Sequence, residues 1–135
     1  MTTDDGRSVE EYAAQALKFL AQSDAEFAAG DDRQGAEKLY GAATQAVIAA
    51  SKQRGWGYRS HRANKNSIRK LAEEYSEPFL ASGFNSAERF HIHFHHGDME
   101  EYDIAADRPT VRAYVQRMVD LINEYNRNGH NGQQS

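Results

Sequence analysis

A chain of 135 residues can bury one modest core and is too short for two ordinary domains. It has no cysteine, which excludes disulfide frameworks, thiolate metal sites and cysteine nucleophiles. The acidic start MTTDDGRSVEE is no signal peptide, and no run approaches the roughly 18 apolar residues of a membrane span, so a cytoplasmic protein without membrane association is expected.

The net charge of -4 conceals an asymmetry. From Lys38 to Ala72 the chain carries eight Lys/Arg residues and no Asp or Glu, half of all sixteen basic side chains. Such a block can draw a phosphate backbone to one part of an otherwise acidic protein, or form a solvated face.

The first helix is expected to begin at Ser8, where Ser8-x-x-Glu11 has the form of a capping box, and to end near Ala29 before Gly30. Tyr12, Ala16, Phe19, Leu20, Ser23 and Phe27 form its inward stripe. Asp31 or Asp32 caps the next helix at once, which predicts an antiparallel hairpin with a very short turn. That second helix, running to Arg54 before Gly55, is expected to be central. Its small residues Gly41, Ala42, Ala43, Ala46, Ala49 and Ala50 permit close approach on more than one side.

A third helix is expected from Asn64 or Asn66 to Glu74, with Ile68 and Leu71 inward. Pro78 predicts an interruption, Phe79 and Leu80 a short turn closed by Gly83, and Ser86 the cap of a helix that stops at Gly97. The acidic stretch from Asp98 to Ala106 reads as a connection. A last helix then starts at Asp107-Arg108-Pro109, where proline is tolerated in the first turn. The sum is an all-α, antiparallel bundle of four to five helices over residues 8–126, with flexible tails at 1–7 and 127–135. Tyr12, Tyr40, Phe79, Phe84, Phe90 and Phe94 are expected to pack inside it.

Chemistry concentrates in Glu88-Arg89-Phe90-His91-Ile92-His93-Phe94-His95-His96. On a helix, Glu88, His91 and His95 share one face and could hold a metal, while His93 and His96 lie on another. Alternatively, Arg89 could steady a phosphate while His95 or His96 moves a proton, a minimum for cutting RNA through its own 2'-hydroxyl. Six residues place Arg89 and His95 about 120° apart around the helix, whereas seven return Arg89 and His96 to nearly the same face, which favours His96. Arg54, Arg59, His61 and Arg62 are candidate phosphate contacts. Trp56 and Tyr58 either stack on a base or cover the bundle end. No glycine-rich phosphate loop precedes a suitable lysine, so no nucleotide cofactor is expected.

Ala87, Glu88, His91 and Phe94 match the stretch A-E-x-L-H-x-N-F-Y. Phe90 replaces its leucine, His93 its asparagine and His95 its tyrosine. Ala36, Tyr40, Ala42, Ala43, Ala46 and Val47 match a preceding helix of pattern A-x-x-x-Y/W-x-A-A-x-x-A-V. In both, the chain resembles the HEPN superfamily, specifically its PaREP1-like branch, over about residues 8–125. The resemblance implies a helical bundle that commonly forms a homodimer. Members of the superfamily either cleave RNA or serve as non-catalytic partners of small nucleotidyltransferases. The nuclease signature is Arg-x4-6-His with a polar residue after the arginine. Arg89 with His95 or His96 satisfies the spacing, and Phe90 stands at the polar position.

Overall fold

The computed structural model describes residues 6–128. It contains five helices and, among the described residues, no strand: α1 (Val9–Ala28), α2 (Asp32–Arg54), α3 (His61–Glu74), α4 (Phe79–His96) and α5 (Glu101–Arg127). The expected tails lie largely outside the described residues. Of their inner ends, the Arg7 carbonyl accepts a hydrogen bond from Lys52 Nζ, and α5 continues through Arg127.

Local chemistry sets the hairpin as expected. Ser8 Oγ accepts from the Glu11 N–H at 3.0 Å while Glu11 Oε1 accepts from the Ser8 N–H at 2.7 Å, so two of the free amides that open α1 are satisfied reciprocally. Gly30, at φ 86°, reverses the chain, and Asp31 caps α2 through the Gln34 N–H. The two helices then pack antiparallel, from the Ser23–Gly35 hydrogen bond beside the turn to Lys52 over the Tyr12 ring at the far end.

The second helix is central because its side chains are small all round. Ala36, Leu39, Ala42, Ala43, Ala46, Val47 and Ala49 are wholly buried, and α1, α3, α4 and α5 all pack against it. The Phe27 ring occupies the space a Cβ at Gly35 would need, 2.8 Å away. On the opposite side α4 runs antiparallel to α2, and α5 runs antiparallel to α4, so Gln53 at the end of α2 reaches the Ile122 carbonyl and Asn126 of α5. Leu39, Leu71, Leu80, Phe84, Phe90, Tyr114, Val115 and Met118 fill the space between. Burial of each such side chain stabilises by about 1.5–3 kcal/mol.

Three boundaries differ from expectation. Ser60 caps α3 through the Ala63 N–H, so the helix begins at His61 and includes Arg62. The segment from Phe79 to His96 is one helix, not a turn followed by a helix: Gly83 continues it because its missing side chain admits Tyr114. Phe79 lies in the first turn of this helix and is 37 % exposed rather than packed. The last helix begins at Glu101, because the Glu100 N–H is taken up by Asp103 Oδ2 and Ile104 finds burial. Pro109 thus lies within α5, exposed to solvent, where its missing N–H leaves the Ala105 carbonyl without its usual helical donor.

Candidate functional site

The face shared by α2, α3 and α4 carries a continuous set of ionisable side chains. From α4, His91 Nδ1 lies 2.9 Å from Glu37 Oε1 of α2, and its ring stacks on Tyr40 at 4.3 Å between centroids with planes 23° apart. One turn earlier, Glu88 receives His61 Nε2 at 2.6 Å and Lys65 Nζ at 3.1 Å, both from α3. Tyr40 is half-buried between these two carboxylate–imidazole pairs. Burial pushes its phenol up, the Glu88 and Glu37 charges push it further, and the neighbouring Thr44 hydroxyl works the other way. His95 stands one turn beyond His91 on the same face, its ring edge-on at 4.7 Å and 89°.

The end of α4 is closed by α2. Arg33 donates through Nε to the Phe94 carbonyl and through Nη2 to the His95 carbonyl, satisfying acceptors that lack intrahelical partners. Gly97 at φ 66° then turns the chain, and the Met99 N–H is received by His93 Nδ1 at 2.9 Å. His93 is 5 % exposed and serves this turn.

Arg89 points elsewhere. Its Nε and Nη2 bond Asp107 Oδ2 of α5 at 3.0 and 2.9 Å, and Nη2 also reaches Ser86 Oγ at 3.3 Å. The shallow cavity beside it, about 310 Å³, is lined by Asp98, Asp103 and Asp107 together with Ile92 and Met99. Three carboxylates beside one arginine disfavour a phosphodiester there. His95 belongs to the α2-facing side of α4, and the near ring contact of His96 is His95 at 6.3 Å. Arg89 is thus held toward α5 by Asp107, while His95 stands beside His91 on the same helix.

The expected metal trio divides too. Glu88 is engaged by His61 and Lys65, while His91 is backed by Glu37. Among the described residues no three His, Cys, Asp or Glu side chains converge as a metal-binding group.

The expected phosphate contacts separate by element. Arg54 donates to Gln53 Oε1 and to the Tyr75 hydroxyl and lies 4.2 Å over the Tyr125 ring, which ties α2 to α3 and α5. His61 joins the Glu88 pair, and Arg59 and Arg62 are exposed near the start of α3. With Arg69, which bonds Asn66, Arg62 leaves a basic outer face on α3. Trp56 packs against the core with Lys70 and Arg54 over its ring, and Tyr58 meets Tyr12 edge-on at 6.4 Å, so this loop covers the bundle end.

Another concavity lies away from the histidines. A groove of about 680 Å³ runs beside α5, lined by Phe27, Ile104, Ala105, Pro109 and Ala113 together with Asp32, Glu101, Arg108, Arg112 and Gln116. Both arginines bond Asp24 of α1. Burial works to raise the Asp24 carboxyl, but the hydrogen bonds and charges of Arg112 and Arg108 outweigh it and hold the group below its ordinary range. Tyr102, in the first turn of α5, is 73 % exposed.

Glu37 and Tyr40 are not legible as site residues from the sequence, because Glu37-x-x-Tyr40 is an unremarkable helical spacing until α4 is laid against it.

Fold and site together define an all-α five-helix bundle with a carboxylate–histidine face on one side and an apolar groove on another. The chain belongs to the archaeal PaREP1/PaREP8 family, whose match spans residues 11–115. No curated protein and no solved structure matches it. Among the described residues no helix is long and apolar enough to cross a membrane.

Proposed function

We propose that the protein is a non-catalytic, self-associating scaffold of HEPN type, a cytoplasmic partner protein in RNA- or nucleotide-related processes. The observation that carries this reading is the commitment of Arg89 to Asp107 on the carboxylate-lined side of α4, while His91 is held by Glu37 of α2 with His95 beside it. A phosphorane needs its stabilising cation and its proton donor at one place. The HEPN-type hairpin and α4 motif supply the nucleotide connection, and the basic outer face of α3 suits a phosphate-bearing neighbour. A small nucleotidyltransferase is the heterologous partner of this class.

The apolar groove along α5 suits a second copy of the chain. Tyr102 is the most exposed large apolar side chain among the described residues. An isologous pairing buries Tyr102 and the exposed Ala105, Pro109 and Ala113 of both copies in one operation.

The test joins two measurements on purified full-length protein. Single-stranded RNA incubated with it should remain intact, and sedimentation should show a dimer that Tyr102→Glu or Ala113→Glu dissociates. RNA cleavage lost in both Arg89→Ala and His96→Ala would replace this reading with a metal-independent endoribonuclease. A monomer at all concentrations would remove the self-association.

A further inference from the structure

We propose that His91 and His95 form a two-imidazole chelate for a divalent transition metal of borderline softness (Ni²⁺, Cu²⁺ or Zn²⁺), with Glu37 as the carboxylate behind His91.

Helical spacing brings the two rings together, since residues four apart lie one above the other on a face. Their centroids are 4.7 Å apart. The first ligand is already arranged. An ionised carboxylate only accepts hydrogen bonds, so Glu37 Oε1 at 2.9 Å fixes the proton of neutral His91 on Nδ1 and leaves the Nε2 lone pair for a metal. Metal-bound histidines characteristically have such a carboxylate behind them. The Tyr40 ring, stacked at 4.3 Å, also sets the imidazole plane. Only His95, exposed and close to the end of the helix, has to rotate.

Other histidines of the run lack this arrangement. His93 is buried and already accepts the Met99 N–H. His96 is exposed and has no hydrogen-bond or ion-pair partner among the described residues, so nothing sets its tautomer. His61 is paired with Glu88. Because no third His, Asp or Glu converges on the pair, water fills the remaining coordination positions. That favours metals high in imidazole affinity over Mg²⁺ or Ca²⁺, which prefer sets of oxygen ligands. Arg33, which caps the carbonyls beside His95, is the opposing charge at this end of α4 and moderates the affinity.

Isothermal titration of tag-free full-length protein with NiCl₂ near pH 7.5 tests the site. One equivalent should bind. His95→Ala, an exposed substitution, should weaken binding at least tenfold, and Glu37→Ala should weaken it by about tenfold or more, because His91 then loses the acceptor that fixes its Nδ1 proton, with His96→Ala unchanged. Spin resonance of the Cu²⁺ adduct should show two coupled imidazole nitrogens in the wild type and one in His95→Ala. Thermal melts of each variant separate loss of metal from loss of fold. Absence of one-to-one binding overturns the proposal. So does affinity retained in the His91→Ala/His95→Ala double variant, or weakened equally by His96→Ala; each means adventitious surface binding only. A Glu37→Ala variant that binds like the wild type overturns its role behind His91.

Discussion

A single carboxylate oxygen, Asp107 Oδ2, receives both Nε and Nη2 of Arg89 across the seam between α4 and α5. The arginine side chain is 53 % exposed and the aspartate 22 % exposed. Solvent screens such a pair, so Arg89→Ala and Asp107→Asn should each change stability by less than about 1 kcal/mol. Urea unfolding measures it. A larger loss in both variants would show that this pair, rather than apolar packing, holds the two helices together.

The seam depends instead on Gly83. A Cβ there would stand 2.7 Å from the Cβ of Tyr114, a wholly buried residue. Alanine improves helix propensity by roughly 1 kcal/mol over glycine, but overpacking a filled core costs about 1–3 kcal/mol. The backbone of α5 cannot give way as a flexible side chain would, so Gly83→Ala should lower the urea midpoint. A raised midpoint would mean that α4 shifts along α5 freely.

Gly83 also marks where sequence patterning misleads. Beside Pro78 and before Ser86 it reads as a break, because propensity records the local cost of glycine and not the close approach of α5. The same limit applies to Pro109, whose preference for a first turn suggested a start six residues after the observed Glu101. By contrast, the hairpin from Ser8 to Arg54 was legible: its caps are local, and its alanines carry the packing information in their size. At the site, the spacing of Glu88, His91 and His95 correctly places them along one face. Their partners, Glu37 and Tyr40 for His91 and His61 and Lys65 for Glu88, arise from the packing of three helices, which no spacing within α4 encodes.

Acid should weaken the contact between the end of α3 and α5 through Glu77. Its carboxylate receives Arg117 Nε at 3.0 Å. That hydrogen bond holds the group below its ordinary 4.5, outweighing a smaller upward push from burial, and the Arg117 charge adds to it. A depressed folded-state pKa stabilises the native state above the unfolded value and loses that contribution as pH falls through the folded one. The stability difference between wild type and Glu77→Gln should therefore be full near neutrality and shrink below about pH 4.5. Asp24, shifted the same way, contributes separately and remains in the variant. Denaturant titrations from pH 7 to pH 3 follow the difference; one that stays constant would remove Glu77 from the acid response.

The hydrogen bond between Ser51 Oγ and Ser67 Oγ, 2.8 Å long, joins α2 to α3 inside the core, where the two residues are 0 % and 2 % exposed. Each hydroxyl relies on the other because water is excluded. Removing one leaves the other buried with its partner lost, at about 1–3 kcal/mol, whereas removing both removes two polar groups together. Ser51→Ala and Ser67→Ala should each destabilise, and the double variant should lose less than the sum of the two. A double-variant cycle by urea unfolding reads this coupling directly. Strict additivity would mean that the hydroxyls are satisfied separately and do not couple α3 to α2.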